Sequence, residues 1–310
     1  MNALGQSTAP DESAIPAASI RAADGSQLKH VKDSKVDDVT GRYALGYSER
    51  ERRRLALQGA IQNPTTEQLL RRAGIVHGMR VLDLGCGVGD VALLAGRLVG
   101  RHGSVTGIDV DEGALEIARA RAQGQGLQQV RFEWGAIEEL RFRQSYDAII
   151  GRHILIHLSD PLAVLKRATQ LLRPGGVVAF HEYDLSITDL AYPAAPVREE
   201  MARLLLKSVP TPNMGARLYH YFLKAGFSHP RCQIEGALDG GEGAPEYEVF
   251  AQAVVHMLPR AGAAALDFSL PRCGDELARR LERESLENMG SCSMPLTVVG
   301  HARWTPSSEI

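Results

Sequence analysis

From residue 79 onward the apolar positions follow two alternating periods. Short apolar runs at Met79–Leu84, Ser104–Asp109, Val130–Trp134, Tyr146–Gly151 and Gly176–Glu182 read as strands, the fourth rich enough in isoleucine to be buried on both faces. Between them, helical spacing marks Val91–Val99, closed by Gly100, then Glu112–Ala122, and Pro161–Leu172, stopped by Arg173-Pro174-Gly175-Gly176. Strands alternating with helices predict right-handed crossovers and a parallel sheet covered by helices on both faces. Upstream, Leu55, Ile61, Leu69 and Leu70 give Tyr43–Ala73 an apolar helical face, and Asn63-Pro64-Thr65 predicts a break between two helices. After Asp184 the rhythm changes. Helices are expected at Val197–Lys207, Met214–Ala225, Tyr247–Leu258 and Asp275–Asn288, with a sixth strand at Pro230–Gly236 and a last one at Leu296–Trp304. The expected organisation is a flexible tail over 1–38, a helical cap over 39–76, and one α/β domain over 77–310 with lid insertions at about 186–212 and 238–293.

Composition narrows the classes. Of 310 residues 44% are hydrophobic but only 5% aromatic, so aliphatic side chains must build the core. A net charge of −2 gives no basic footprint for nucleic acid. Arg52-Arg53-Arg54, flanked by Glu49 and Glu51, reads as a solvated helix face. Cys86, Cys232, Cys273 and Cys292 lack metal-binding spacing and suit a reducing compartment. With no membrane-length apolar run and no secretory pattern at the N-terminus, a cytoplasmic protein is expected.

The chemistry concentrates in VLDLGCGVGD at 81–90. A strand, a glycine turn and a helix form a nucleotide-cofactor site, and Gly85, Gly87 and Gly89 clear side chains from where backbone meets ligand. Their spacing is G-x-G-x-G rather than the dinucleotide G-x-G-x-x-G, and Asp83 precedes them. A carboxylate there disfavours a diphosphate and favours a cationic ammonium, as on the amino-acid end of S-adenosylmethionine. Asp109, twenty residues after Gly89 at the next strand tip, can accept hydrogen bonds from ribose hydroxyls, with capping of the following helix as the plainer alternative.

Four stretches, VLDLGCGVGD (81–90), VTGIDVD (105–111), YDAIIGRHILIHLSDP (146–161) and LRPGGVVAFHEYD (172–184), together resemble the class I S-adenosylmethionine-dependent methyltransferases, in particular the ubiquinone/menaquinone-biosynthesis type and its small-molecule relatives. The resemblance implies a Rossmann-like three-layer sandwich, with a mostly parallel seven-stranded sheet and an antiparallel terminal strand, Leu296–Trp304, beside the fifth. It implies that Asp83, Gly85, Gly87 and Gly89 line the methionine end, that Asp109 holds the ribose, and that Val110 packs on the adenine. Ala136 stands where relatives commonly carry an aspartate to the adenine amino group, leaving the backbone of Ala136 and Ile137 to read the ring edge. Arg152 follows the fourth strand, whose carbonyls usually meet the ammonium. Upstream, Tyr43 to Ser48 with Glu51, Arg54, Leu55 and Gln58 resemble the N-terminal helix of bacterial natural-product methyltransferases, the teleocidin C-methyltransferase group among them; Tyr43 and Tyr47 read equally as packing or as catalytic residues.

A hydroxyl or amine acceptor must also lose a proton. His157 and His153 are the candidates, sharing one face if a helical turn follows Arg152; His181, Glu182, Tyr183 and Asp184 end the fifth strand nearby. The alternative for each histidine is a backbone-bonded residue that shapes the pocket, and no metal set is assigned. His220 and His256 read as surface or packing residues. Met201, Leu204, Leu205, Phe250, Val254 and Met257 either line an apolar pocket or pack on the sheet. The expected function is methyl transfer from S-adenosylmethionine to a small hydrophobic acceptor, natural-product or quinone-like. C-methylation of a prenylated or indole-bearing substrate through a carbocation is the sharper variant, and an inactive cofactor-binding protein or a dehydrogenase are the competing classes. The expected partner is a small molecule, with no nucleic acid and no membrane, and the N-terminal helix is a candidate for exchange between subunits of a homodimer.

Overall fold

The structure is a computed structural model in which residues 49–137, 145–186, 195–236, 238–239, 241–258, 269–288, 292–293 and 295–305 are described. The expected tail over 1–38, together with Tyr43 and Tyr47, lies outside them. The elements run α1 (Glu49–Arg72), β1 (Arg80–Leu84), α2 (Asp90–Val99), β2 (Ser104–Asp109), α3 (Glu112–Gly124), β3 (Val130–Trp134), β4 (Tyr146–Arg152), α4 (Pro161–Leu171), β5 (Leu172–Tyr183), α5 (Pro196–Ser208), α6 (Met214–Ala225), β6 (Phe227–Glu235), β7 (Leu238–Asp239), α7 (Pro245–Met257), α8 (Gly274–Glu287), β8 (Cys292–Ser293) and β9 (Thr297–Trp304).

Seven strands form one sheet in the order β3-β2-β1-β4-β5-β9-β6, and β7 pairs with β8 in a separate two-stranded ladder. The β1–β5 pairings are parallel, while β9 runs antiparallel to both β5 and β6. The reversal at β1 and β4 puts a topological switch point at their C-terminal ends, where ligands bind in open α/β sheets. Alternate residues of β5 serve opposite faces. Val178 and Phe180 join the apolar cluster of α4, α5, α6, α7 and α8, whereas Val177 and Ala179 join that of α1, α2 and α3. The expected three-layer sandwich is therefore present. Met201, Leu204, Leu205, Phe250 and Val254 are all buried in the first cluster, as core between the added helices and the sheet; the Met257 and His256 side chains lie outside the described residues.

Two local expectations fail for identifiable reasons. First, α1 is continuous through Pro64. Proline removes the N–H that residue 60 would have bonded. Here Pro64 and Ala60 both face solvent, so water can take the orphan carbonyl. Second, β5 begins at Leu172, directly after α4, instead of at Gly176, because Leu172 pairs with Tyr146 before the register shifts at a bulge.

Candidate active site

The glycine turn links β1 to α2, with positive φ at Gly85 (63°), Gly87 (51°) and Gly89 (87°). A Cβ at Gly85 would lie 2.5 Å from Ile154 Cδ1, and one at Gly89 3.0 Å from Ala118 and Phe132. At Gly87 the nearest atom would be Leu55 Cδ1 at 3.9 Å, so this residue alone of the three leaves room above the turn. The outer glycines serve packing and the middle one keeps the backbone approachable.

Asp83, on β1 beneath this turn, is 1% exposed, and neither carboxylate oxygen has a hydrogen-bond partner. Burial pushes its carboxyl up to about 8, against the Arg152 guanidinium and the Ala92 amide, which stands near without completing a hydrogen bond. A buried carboxylate left in this condition costs free energy until a cation or donor reaches it. Asp109 closes the far side. Its Oδ2 accepts from Gly87 N–H at 2.8 Å and its Oδ1 from Asp111 N–H at 2.9 Å. The capping alternative for Asp109 does not hold, because the N-cap of α3 is Asp111, which accepts from Gly113 N–H at 3.0 Å. Gly135 N–H donates to Asp109 O at 3.0 Å, bringing the Ala136–Ile137 segment to the same strand tips, and the exposed Trp134 donates its indole N–H to Val110 O at 3.0 Å. Asp83, the glycines, Asp109, Val110, Ala136 and Ile137 thus share one end of the sheet.

Arg152 ends β4, the backbone position expected for it. Its guanidinium turns to the helices, bonding Asn63 Oδ1 at 2.9 Å and Thr66 Oγ1 at 3.3 Å on α1, and lies 3.5 Å from Asp90 at the start of α2. Arg121 holds the other Asp90 oxygen at 2.7 Å. Arg152 therefore ties α1 to α2 and lends Asp83 its charge from behind.

The turn after β4 is not an α-helix, which corrects the shared-face placement of the two histidines. His153 has φ 53°, and only Leu155–His157 forms a single 3-10 turn. Buried Glu182 of β5 fixes the segment. Its carboxylate accepts the N–H groups of Ile154 (3.1 Å), Leu155 (2.9 Å) and Ile156 (3.3 Å), and burial raises it to about 8 despite them. Asp184, just past the end of β5, acts in a similar way, accepting from Ser186 N–H and from Ala216 N–H in the first turn of α6. His153 stacks on Tyr183 with centroids 3.8 Å apart and 5° between planes. Its ring nitrogen Nε2 meets Gln62 Oε1 at 2.6 Å, and burial with the neighbouring His181 holds it well below the usual histidine range. His181 bonds Thr66 Oγ1 through Nδ1 at 2.9 Å and is pushed down to about 3, first by burial and then by Arg152. His157 is half-buried at the end of the turn, and His220 is exposed.

At Arg54 the solvated-face reading fails; the Arg52 and Arg53 side chains lie outside the described residues. Arg54, Gln58, Gln62 and Thr66 follow at intervals of four and are all buried. Arg54 donates to Gln58 Oε1, Gln58 Nε2 to Gln62 Oε1 at 3.4 Å, and Gln62 Nε2 to the Tyr183 hydroxyl at 2.7 Å. Sequence reading named Arg54 and Gln58 by resemblance but missed Gln62, Thr66 and Asp90. The spacing of four from Arg54 to Thr66 was the available signal.

Among the described residues no group of three or more His, Cys, Asp or Glu is placed to hold a metal ion, and no helix is long and apolar enough to cross a membrane. Fold and site together define a Rossmann-like protein with a glycine turn between two strand-tip acids, one of them buried without a hydrogen-bond partner. A model for a methyltransferase domain matches residues 75–226. A ubiquinone biosynthesis O-methyltransferase of Nitrosococcus oceani is 32% identical over 176 residues, 56% of this chain and 70% of that protein. One of the same description from Acinetobacter baumannii is 32% identical over 155 residues, 49% of this chain; the chain spans 61% of that relative's length. The YcgJ protein from Bacillus subtilis shares the fold with a TM-score of 0.52 at 19% identity, over 79% of this chain and all of the other. The chain belongs to the class I S-adenosylmethionine-dependent methyltransferases.

Proposed function

We propose that this protein transfers the methyl group of S-adenosylmethionine to an oxygen of a small, largely apolar organic acceptor. The observation that carries the reading is the buried, partnerless Asp83 carboxylate beneath the open Gly87 backbone, which fits a ligand with a cationic amino-acid end. In this reading Asp83 meets the ammonium, and Gly85, Gly87 and Gly89 shape the turn around the methionine end. Asp109, anchored by two backbone N–H groups, keeps lone pairs for the ribose hydroxyls. Val110 forms an apolar wall for the adenine, and the Ala136 and Ile137 backbone reads its edge. Arg152 acts indirectly, by holding α1 against α2 and charging the surroundings of Asp83.

Bound there, S-adenosylmethionine supplies an electrophilic methyl whose carbon–sulfur bond breaks, the electron pair staying on sulfur, as the acceptor lone pair bonds to carbon. The protein's share is alignment. Glu182 fixes the Ile154–Ile156 backbone, and with it His153 and His157 at the tip of β4. His157 is assigned the role of taking the acceptor's proton because it is half-buried at the end of the turn, whereas His153 is tied to Gln62 and Tyr183. Oxygen is favoured because the relatives named above are described as O-methyltransferases acting in quinone biosynthesis, and because a hydroxyl needs a proton acceptor such as the histidines provide. The deciding experiment incubates the full chain with methyl-labelled S-adenosylmethionine and a panel of hydroxylated, prenylated and indole acceptors, reading product mass and methyl position. An O-methylated product is expected. A C-methylated product overturns the oxygen assignment, and binding without any methylated product overturns turnover.

A further inference from the structure

The polar side of α1 has a direction. Arginine can only donate. Arg54 therefore meets Gln58 through its oxygen, which leaves the Gln58 amide NH2 to meet Gln62 Oε1. Gln62 Oε1 is then an acceptor, and the His153 nitrogen beside it must be Nε2–H. That leaves His153 Nδ1 unprotonated, and it has no hydrogen-bond partner. The second branch resolves in the same way. The single Thr66 hydroxyl proton goes to Gln62 O at 3.1 Å, and Arg152 donates to the same Thr66 oxygen. With the hydroxyl proton on Gln62 O, His181 donates from Nδ1–H, which leaves its Nε2 bare and also without a partner. The two rings are neighbours, with centroids 5.2 Å apart. The Tyr183 hydroxyl accepts from Gln62 and keeps its own proton to give.

We infer that His153 and His181 form a hydrogen-bond-acceptor site, held in that state by Arg54, Gln58, Gln62 and Thr66 of α1, which takes an apolar ligand through an O–H or N–H donor and discriminates against the same molecule once that hydrogen is replaced by methyl. Two unprotonated imidazole nitrogens buried without partners are an unmet demand for donors. A methyl ether or N-methyl compound offers none, so it leaves both nitrogens unmet and fills space besides. His153 and Tyr183 are part-exposed whereas His181 is buried, so the site is approached from the His153 and Tyr183 side. Gln62 and Thr66 are positioning residues, acting only through the histidines. The link from this site to product release rests on the methyl-transfer reading above; the acceptor state itself does not.

The test uses the full chain, uniformly labelled with 15N, with the histidine resonances assigned by single His153→Asn and His181→Asn variants. Long-range 15N–1H spectra should show His153 as Nε2–H and His181 as Nδ1–H; the opposite tautomer at either, or a protonated ring at neutral pH, overturns the inference. Phenol against anisole, and indole against 1-methylindole, then separate oxygen from nitrogen donors. Phenol, indole or both should bind about five- to tenfold tighter than the methylated partner and shift the bare nitrogens. Equal binding within both pairs, or no binding by any of the four, overturns the site. Gln62→Met should release the His153 tautomer and reduce the discrimination below about twofold, and Thr66→Val should do the same at His181, with retained S-adenosylmethionine binding as the check on folding. Tautomers and discrimination unchanged in both variants overturn the role of α1. Selective binding without any methylated product leaves the site standing and removes the methyl-transfer reading alone.

Discussion

Replacing Asp83 by Asn tests the assignment on which the cofactor site depends. In the ligand-free protein the Asp83 carboxyl is raised from about 3.8 to about 8 by burial. The folded state therefore holds this proton more tightly than the unfolded chain does. Stability that is present below the ordinary carboxylate range is lost as pH rises from about 4 to about 8. A shift of about four units corresponds to a ceiling on the order of 5–6 kcal/mol. Asn is nearly isosteric and stays neutral, so the variant should gain on the wild type progressively across that window and level off above it. Glu182, raised to about 8 as well, slopes the curves of both proteins alike and cancels in the difference. Urea unfolding at half-unit pH steps measures it. Binding should move the other way. An ammonium over Asp83 restores the carboxylate, so cofactor binding at pH 7 should release close to one proton, roughly nine-tenths for a group at about 8. Titration calorimetry in buffers of different ionisation enthalpy reads this directly. The Asn variant should release none and bind S-adenosylmethionine about 10- to 100-fold more weakly, the worth of a charge-assisted hydrogen bond. A flat pH difference, or wild-type affinity with the proton release intact in the variant, would refute the reasoning.

Three further perturbations separate the remaining roles. Asp109→Ala removes the acceptor of the Gly87 and Asp111 N–H groups together with the proposed ribose contact, and should weaken S-adenosylmethionine binding at least about tenfold by calorimetry; unchanged affinity would remove Asp109 from the site. Glu182→Gln puts one carbonyl oxygen and an NH2 against three N–H donors, and should cost about 2–3 kcal/mol in urea unfolding; a neutral effect would show that the turn after β4 holds without it. His157→Ala should lower kcat by about 100-fold or more with less than about twofold change in cofactor Kd, and equal losses in both would return His157 to a structural role.

The parallel half of the fold was legible because its signals are local. Strands β2 and β3 fall on their expected residues, since period-two runs bounded by turn residues leave little freedom. Pro64 misled because the rule against proline in helices assumes that the orphan carbonyl is buried, and Ala60 is not. The burial of Arg54, Gln58, Gln62 and Thr66 was hidden for a deeper reason. A polar stripe at helical spacing normally marks water, and Arg152, His153, His181 and Tyr183, far along the chain from α1, reverse it. The Asp83–Gly87–Asp109 arrangement was visible because one strand, one turn and the next strand tip carry it. The direction of the Arg152 guanidinium was not legible, because following the strand to its end fixes a backbone position, not where a long side chain turns.

The place of β9 has a consequence for how the protein is made. Strand β5 ends at Tyr183 and β6 at Glu235, and each pairs with Thr297–Trp304, the last strand of the sheet to be synthesised. A ribosome adding about 5–20 residues per second leaves the edge of β5 waiting on the order of ten seconds for that partner. Through that interval the nascent chain displays an unpaired edge beside β5, where Val178 and Phe180 belong to the later core. Until the closing strand arrives, β5 and β6 each lack the neighbour that joins them into one sheet, so truncation before Thr297 leaves two open edges at once.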